Sequence, residues 1–523
     1  MEEKVYFEFI QVAVGNMKSL SVAINDSDWL RLFEFCKRQA LIGVGFSAVE
    51  KLHAVGVVCP ANIRMRWMAL ALQIEKRNAL LNEQCRKLTE QYGHDGLATC
   101  ILKGQGNCLN YPEGLRNRRQ CGDIDLWAVP MNGRQQEQHE TTWCQQADYF
   151  GEQQFPSIGQ HLSKNNLYPQ ITQMDTEGCP QADNGIAIAV QTGRNEVEYV
   201  EYRGRKAVIE YVRMRHRLVG NNEKPAIRYH HVEAPKMEGT EVEVHFRPCY
   251  VHSPLRNLRL QRWFDGHADV CMKNKAQMGF AVPTSSVNVV YQMCHLFSHY
   301  FDEGLGLRQL MDYYFALRVW HNDMMECKDL QSQGMWSEGM GTPVMSATEI
   351  MAVLRSFGMG KFAGAVMWVI HEAFENEECR MKKQRSAAEG KANEEYSDAD
   401  EVSEQQLSAT GQQLKEISPQ ADDRSERECP QINREFKNNN YVPWMICEPN
   451  AKEGRRLLAE IMQGGNFGQY DTRDAALKRG GMVKHGVWKL KRVMRLVRSY
   501  PEEALWEPVF RVYHLIWRGI NGG

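Results

Sequence analysis

Two aspartates at the start of a short apolar segment constrain this chain more than any other feature. The segment Ile124–Val129 (IDLWAV) stops at a proline, which is typical of a β-strand. On a strand, Asp123 and Asp125 point to one face and the apolar residues beside them to the other. Two carboxylates this close repel each other unless a cation balances them. The pair therefore predicts a site for Mg²⁺ or Mn²⁺, whose preferred ligands are oxygen atoms.

An alternating segment further along the chain supplies a third carboxylate. In Glu241–Phe246 (EVEVHF) the period is two, so the valines share one face while Glu241, Glu243 and His245 share the other. Glu243 is therefore predicted to join the metal site from a neighbouring strand. Two metals about 4 Å apart at such a site can bind the attacking and the leaving oxygen of a phosphoryl transfer. Two roles stay open for His245: a general base, or a partner that hydrogen-bonds a carboxylate ligand.

The turn after an earlier apolar run is suited to a triphosphate. The run Ala98–Leu102 (ATCIL) reads as a strand that stops at the sequence KGQG, where glycines permit a tight turn with free backbone N–H groups. A helix N-terminus after such a turn attracts phosphate, and basic side chains stand nearby in the sequence. The residues predicted to hold the nucleotide in this region are Lys103, Gly104, Gln105, Gly106, Arg119 and Gly122.

Taken in this order, the runs ILKG, YP and RxxGDIDLW resemble the bacterial uncharacterised nucleotidyltransferase family of the DNA-polymerase-β-like nucleotidyltransferase superfamily. Other segments resemble Bacteroidetes-type members of that family, so the resemblance extends over most of the chain apart from two polar insertions. These segments are Tyr229–His231, Glu241–Arg247, His295–His299, Gly304–Asp312 and Gly464–Gly468.

The resemblance implies a role for each matched residue. The superfamily pattern is a Gly-Ser turn, then Asp-x-Asp, then an acidic residue on a later strand. It implies Gly104 at the turn and Glu243 as the third acid. Asp123 and Asp125 match its metal-binding pair. Gln105 stands where the superfamily has serine, so a hydroxyl that would contact the triphosphate is absent, and the lysine of the KGQG turn is its expected substitute.

Histidine, arginine and aspartate side chains on two predicted helices are expected to line a cleft. His295 and His299 are one helical turn apart, and so are Arg308 and Asp312. We expect these side chains between the helical domain and the sheet, with Arg308 in contact with a phosphate or base of the nucleotide. The alternative for Arg308 is a buried ion pair with Asp312. The two histidines have no acidic third ligand nearby, so their spacing alone does not predict zinc.

The segment Lys484–Arg498 is basic and amphipathic. A helix of this kind can lie on a membrane or on RNA, or it can pack on the core with its basic face in water. The residues predicted to form its apolar stripe are Val487, Leu490, Val493, Leu496 and Val497.

Composition and patterning argue against a membrane protein, a secreted disulfide scaffold and a collagen-like chain. The 523 residues include 63 Lys+Arg and 65 Asp+Glu, so the net charge of -2 gives no overall attraction to nucleic acid or anionic membranes. No apolar run reaches the roughly 18–20 residues that span a bilayer, and the start of the chain lacks a signal-peptide pattern. The 15 cysteines include no C-x-x-C pair, which is typical of reduced thiols in a cytoplasmic protein.

The pattern along the chain predicts an α+β fold, in which a small mixed-sheet nucleotidyltransferase core is flanked by N-terminal helices and a helical C-terminal domain. A Gln-, His- and Asn-rich stretch interrupts the core, and a later Glu-, Lys- and Ser-rich stretch is expected to be disordered. The predicted regions are 1–95 (N-terminal helices), 96–260 (core, with the polar insertion 133–198), 261–374 (helical domain), 375–440 (disordered insertion) and 441–523 (C-terminal helices).

The leading hypothesis is a cytoplasmic, Mg²⁺- or Mn²⁺-dependent enzyme that moves an NMP group from an NTP to a hydroxyl-type acceptor and releases pyrophosphate. The acceptor, whether small molecule, protein or RNA, is not identified by the sequence, and neither is the oligomeric state. Removal of either aspartate is expected to abolish activity without unfolding the chain, because it relieves their repulsion.

Two alternatives stay open. One is a non-catalytic nucleotide-binding or interaction protein of the same fold, which the glutamine at position 105 favours. The other is an RNA-modifying nucleotidyltransferase that holds RNA with Lys489, Lys491 and Arg492.

Overall fold

The computed structural model describes most of the chain. The described residues are 2–131, 185–191, 197–220, 224–333, 344–375, 445–478 and 480–520. Most of the predicted polar insertion 133–198 lies outside these ranges, and so does the predicted insertion 375–440 apart from its first residue.

Four helices precede the first strand, in the region predicted to contain the N-terminal helices. Helix α2 begins at a capping box, in which the Asn25 side chain accepts hydrogen bonds from the backbone N–H groups of Ser27 and Asp28. The four helices are α1 (Glu3–Val14), α2 (Asp26–Arg38), α3 (Ile42–Ala54) and α4 (Ala61–His94).

The strands form a four-stranded mixed sheet and a separate antiparallel pair. The elements of this region are β1 (Leu97–Ile101), α5 (Gln105–Cys108), α6 (Glu113–Arg116), β2 (Ile124–Pro130), β3 (Gly185–Gln191), β4 (Val197–Arg203), α7 (Gly204–Leu218), β5 (His231–Met237) and β6 (Thr240–His245). The larger sheet has the order β1-β2-β6-β5, and β3 pairs with β4. Strands β2 and β6 run parallel, which places Asp125 beside Glu243, while antiparallel β5 places His231 beside His245. The predicted strands are confirmed, and the register brings their polar residues together.

The regular elements that follow β6 in the described chain are helices. The helices are α8 (Pro254–Gly266), α9 (Ala268–Lys273), α10 (Ser285–Asp302), α11 (Leu307–Ser332), α12 (Ala347–Ser356), α13 (Gly360–Phe374), α14 (Ala451–Gly464), a 3₁₀ turn (Asn466–Gly468), α15 (Ala475–Lys478), α16 (Met482–Leu496) and α17 (Pro501–Ile520). With the small mixed sheet, they confirm the predicted α+β class.

Two apolar cores determine which side of the sheet stays open. Leu126 and Val244 belong to one core together with Leu81 of α4 and Tyr211 of α7. Because the apolar side chains of β2 and β6 pack against these helices, the alternating carboxylate and histidine side chains face away from them. A larger core joins N-terminal and C-terminal helices, since side chains of α1–α4 and α10–α14 belong to one cluster.

The basic helix α16 packs through a face that matches the predicted apolar stripe only in part. Trp488, Val493 and Leu496 are buried, whereas Val487 and Leu490 are exposed, so the prediction for those two residues is wrong. The buried face also contains Arg492, which the RNA alternative requires to be accessible. Arg492 donates to the carbonyl oxygens of Tyr300 and Phe301 at the end of α10, at 2.6 and 3.0 Å. These hydrogen bonds satisfy helix-terminal carbonyls and fix the rotation of α16.

A buried ion pair connects the loop before β2 to α11. Arg119 Nε and Nη2 each lie 2.6 Å from an oxygen of Asp312, and Tyr111 Oη donates to the same carboxylate at 2.6 Å. Asp312 therefore pairs with Arg119 rather than with Arg308. Because both partners are buried, each depends on the other to balance its charge.

Removal of the acidic partner is expected to destabilise the fold strongly. Asp312→Ala leaves the Arg119 guanidinium buried without an anion, so we expect the free energy of unfolding to fall by about 3–5 kcal/mol. The matched control is Asp265→Ala, which breaks an exposed pair with Arg205 and should lower it by less than about 1 kcal/mol. Urea denaturation of the two variants tests the difference, and similar losses would show that the Arg119 pair is not the stronger contact.

Candidate functional site

The polar faces of β2 and β6 open onto a cavity of about 750 Å³. Helices α10, α11, α16 and α17 contribute to the rest of its wall. The four side chains expected in a cleft beside the sheet, those of His295, His299, Arg308 and Asp312, all belong to this wall.

A tight turn after β1 places a lysine beside the first buried carboxylate. Gly104 has φ +56° and ψ -110°, a conformation that residues with a Cβ rarely adopt. A Cβ on Gly106 would lie 2.5 Å from the carbonyl oxygen of Ile101, so glycine is needed where α5 approaches β1. The turn brings Lys103 Nζ to 2.6 Å from Asp125 Oδ1.

Asp125 is the charged centre of the cavity wall. Its side chain is only 1% exposed, and His245 Nε2 lies 3.0 Å from Oδ1, the same oxygen that contacts Lys103. Burial alone would raise the pKa of Asp125, but the Lys103 ammonium and the hydrogen bond from His245 hold that pKa well below its usual range. The buried carboxylate is therefore ionised at neutral pH.

Glu243 and His245 form the other half of this cluster. Glu243 Oε2 lies 3.6 Å from His245 Nε2 and 3.5 Å from His231 Nδ1. Burial alone would lower the pKa of His245, but its contacts with Asp125 and Glu243 raise that pKa above its ordinary value. The protonated imidazole is thereby favoured, which fits a hydrogen-bond donor to the carboxylates better than a general base.

Three side chains of this cluster are spaced to hold a cation. Ligand atoms of Asp125, Glu243 and His245 all lie within 4.8 Å of one another. Asp123, which was predicted to share the metal, is exposed and lies outside this group, although it lines the same cavity. Repulsion from Asp125 raises the pKa of Asp123 above its ordinary value. Additional positive charge at this position would relieve that repulsion.

The residues predicted to hold the triphosphate separate into two groups. Lys103, Gly104, Arg119, Gly122 and Arg308 line the cavity. The described part of the wall does not include Gln105 or Gly106. The Gln105 side chain points into α4, where its Nε2 donates to the carbonyl oxygen of Asn78 at 3.1 Å and to Asn82 Oδ1 at 2.6 Å.

The two arginines in the wall differ in what they already bind. Arg119 is held by its ion pair with Asp312, whereas Arg308 Nη1 donates to the carbonyl oxygen of Gln120 at 3.1 Å. Within the described ranges, Arg308 forms no ion pair with a carboxylate and its buried Nε lacks a hydrogen-bond acceptor. Its guanidinium carbon lies 5.4 Å from the centre of the Phe467 ring. Arg308 is therefore the arginine that is available to an anionic ligand.

Two aromatic residues of the wall have no role in the predictions made from the sequence. His230 forms a group of three imidazoles with His231 and His245, whose ligand nitrogens lie within 4.8 Å of one another. Phe467 has φ +52° and its ring centre lies 4.8 Å from that of His299. The only signals in the sequence were the tandem histidines and the glycine-rich turn GGNFG.

Another polar cluster of the same cavity was missed because its members come from distant elements. His252, Asp302 and Glu507 have ligand atoms within 4.8 Å of one another, and His252 Nδ1 lies 2.8 Å from Glu503 Oε1. Burial alone would lower the pKa of His252, but these carboxylates raise it. The residues are separated by up to 255 positions in the sequence, so no local pattern indicates the cluster.

The thiol of Cys121, in the cavity wall, has a lowered pKa. Cys121 Sγ lies 2.8 Å from Arg119 Nη1 and 3.4 Å from Cys108 Sγ. Burial alone would raise the pKa of Cys121, but the hydrogen bond from Cys108 and the positive charge of Arg119 lower it below its ordinary value.

We expect Cys121 to react with iodoacetamide at pH 7 at least about tenfold faster than Cys447, because a lowered pKa raises the fraction of reactive thiolate. Cys447 is the matched control, since it is similarly half-buried and burial raises its pKa to about 11. Pulse labelling of the native protein followed by peptide mass spectrometry measures both rates. Equal rates would contradict the electrostatic effect of Arg119.

The two aspartates of the D-x-D segment are expected to differ in their effect on stability. Asp125→Asn leaves Lys103 and His245 without their anion, so the free energy of unfolding should fall by about 3 kcal/mol. Asp123→Asn removes a carboxylate that Asp125 repels, so it should leave that free energy unchanged or slightly higher. This differs from the sequence expectation that either aspartate can be removed without loss of stability. Urea denaturation without added metal tests it, and equal losses would refute this charge balance.

Comparison with known proteins gives a family for the chain. A family model described as an uncharacterised nucleotidyltransferase matches residues 25–138 and 201–334. The matched ranges contain the KGQG turn, both aspartates of the D-x-D segment and Glu243, and the gap between them, residues 139–200, largely coincides with the predicted polar insertion 133–198. No curated protein and no solved structure matches the chain. The chain belongs to the uncharacterised nucleotidyltransferase family.

Proposed function

We propose that this protein transfers an NMP group from an NTP to a hydroxyl-type acceptor in a metal-dependent reaction. The acceptor oxygen forms a bond to the α-phosphorus, the bond from that phosphorus to pyrophosphate breaks, and the acceptor proton passes to water. The observation that carries this proposal is the buried, ionised Asp125 beside Glu243 on parallel strands in a cavity of about 750 Å³. Membership of a nucleotidyltransferase family supports the same reaction class.

The residues present fit a divalent cation. Asp125 and Glu243 offer oxygen ligands within 4.8 Å of each other, and in the chain alone Lys103 and His245 supply the positive charge that such a cation would bring. Asp123 is proposed to join from the mouth of the cavity. A bound Mg²⁺ or Mn²⁺ would lower the pKa of the acceptor hydroxyl and neutralise charge on the leaving pyrophosphate.

Side chains of this protein are proposed to bind the triphosphate and to orient the carboxylates. Arg308 is proposed to contact the triphosphate, because it lines the cavity without a carboxylate partner among the described residues. Lys103 contacts Asp125 from a glycine turn, and we propose that it turns toward the triphosphate when a cation balances Asp125. His245 is proposed to hold Asp125 in orientation through its hydrogen bond, as a positioning residue.

The expected activity is NTP-dependent pyrophosphate release that requires added Mg²⁺ or Mn²⁺ and is abolished by a chelator. Glu243→Gln should lower the rate at least about 100-fold, because it removes a charged oxygen ligand from the centre of the site. Glu241→Gln is the matched control, since it lies two residues away on the same strand and pairs with exposed Lys236. The assay tests each NTP with and without cell extract as the acceptor source.

Two results would contradict this proposal. Equal rates of pyrophosphate release for Glu243→Gln and Glu241→Gln would show that Glu243 is not part of the site. No release by folded protein with any NTP or extract would favour the non-catalytic alternative, which also predicts Mg²⁺-dependent NTP binding. Gln105 supports that alternative. Its side chain is hydrogen-bonded to α4, so it does not replace the missing serine hydroxyl at the turn.

The basic residues considered for RNA do not form one exposed surface. Arg492 is buried against α10, Lys489 lines the cavity, and Lys491 Nζ lies 3.1 Å from Asp474 Oδ1. RNA therefore stays one of three acceptor classes, with small molecules and proteins.

A further inference from the structure

The outer face of α17 is apolar along most of its length. Leu505, Val509, Val512, Ile516 and Ile520 follow one another at spacings of four and three, which places them on one side of the helix, and they are 52–79% exposed. Every exposed residue from Leu505 to the end of α17 is apolar, aromatic or glycine. Monomeric proteins rarely expose so continuous an apolar face.

Helix α16 adds an apolar stripe bordered by positive charge. Val483, Val487, Leu490 and Met494 repeat at spacings of four and three, and all are exposed. The segment Met482–Tyr500 contains six Lys or Arg residues and no Asp or Glu. Four of these basic side chains are exposed, those of Lys484, Lys491, Arg495 and Arg498.

The two helices cover the same part of the core. Arg492 of α16 donates to the carbonyl oxygens of Tyr300 and Phe301. The ring of Phe301 lies 6.1 Å from that of His252, which in turn contacts Glu503 of α17. Both helices are therefore held at this end of α10, and we call their exposed residues together the C-terminal surface.

We propose that the C-terminal surface docks on an anionic lipid bilayer, with α16 and α17 lying in the membrane interface. A helix that binds a bilayer in this way needs an apolar face that enters the acyl boundary and basic residues that meet lipid phosphates. The C-terminal surface provides both. Trp506 and Tyr513 lie on the exposed part of α17, and such amphipathic rings favour the headgroup level. The docking is peripheral, since no described helix has the length and apolar character of a bilayer span.

Charge disfavours a second copy of the chain as the occupant. A two-fold contact would pair this surface with itself. The exposed residues of α16 and α17 include the basic side chains described above, and the accessible carboxylate of α17, that of Glu502, is already paired with Arg256. An anionic bilayer balances these charges and covers the apolar side chains at the same time.

The test is flotation of the full chain with vesicles of phosphatidylcholine alone or of equal parts phosphatidylcholine and phosphatidylglycerol. We expect binding to the anionic vesicles that weakens as salt is raised. The triple variant Val509→Ser/Val512→Ser/Ile516→Ser should weaken binding at least about tenfold. Its control is Val55→Ser/Val58→Ser/Leu72→Ser, which changes similarly exposed apolar residues at the end of α3, in the following loop and on α4 and should bind as the unaltered chain does.

A charge variant tests the proposal separately. Lys484→Gln/Arg495→Gln/Arg498→Gln should also weaken anionic-vesicle binding at least about tenfold, whereas Lys18→Gln/Lys37→Gln/Lys76→Gln, three exposed lysines elsewhere, should not. Thermal melting checks that each variant is folded, and light scattering gives the mass in solution. No vesicle binding by the unaltered chain overturns the proposal. A dimer that dissociates in the Val509 triple variant would instead assign the surface to a second copy. None of these outcomes depends on pyrophosphate release.

Discussion

The buried charge of Asp125 is the constraint on which the candidate site depends. A carboxylate that is 1% exposed must be balanced where it lies, and here Lys103 and His245 contact the same oxygen atom. The parallel register adds a second carboxylate, Glu243, directly beside it. The local structure supports this balance. The glycine turn brings Lys103 to Asp125, and β6 carries both Glu243 and His245, which hydrogen-bonds Asp125.

Under the proposed function, a site held together in this way has two states that differ in the source of positive charge. In the chain alone, a lysine and a protonated histidine neutralise two carboxylates. Under the proposed function, a divalent cation would take that role and leave Lys103 to meet the triphosphate. Arg308 differs from these residues, because it faces the cavity without a carboxylate partner in the described part of the chain. Its positive charge is therefore available in both states.

Local patterns predicted which side chains share a face of a strand, because period-two alternation determines that face. Alternation placed Glu243 and His245 together on one strand, and the parallel pairing of β2 with β6 brings Asp125 beside them. Patterns failed where a side chain is determined by a partner distant in sequence. Arg119 is held by Asp312, 193 positions away, and Arg492 by carbonyl groups of α10. No spacing rule anticipates such contacts, so both arginines were expected to face ligand or solvent.

The change between helical and strand periodicity along the sequence predicted the fold class, but it did not predict the role of α17. Helix α17 places Glu507, Phe510 and His514 in the wall of the cavity and turns Val509, Val512 and Ile516 outward. A sequence pattern shows that such a helix has two faces, but not that one faces a polar cavity and the other solvent. Because the two sets share one helix, docking of the outer face would hold this wall of the cavity beside whatever covers that face. The proposed bilayer would therefore lie close to the wall that Glu507, Phe510 and His514 form.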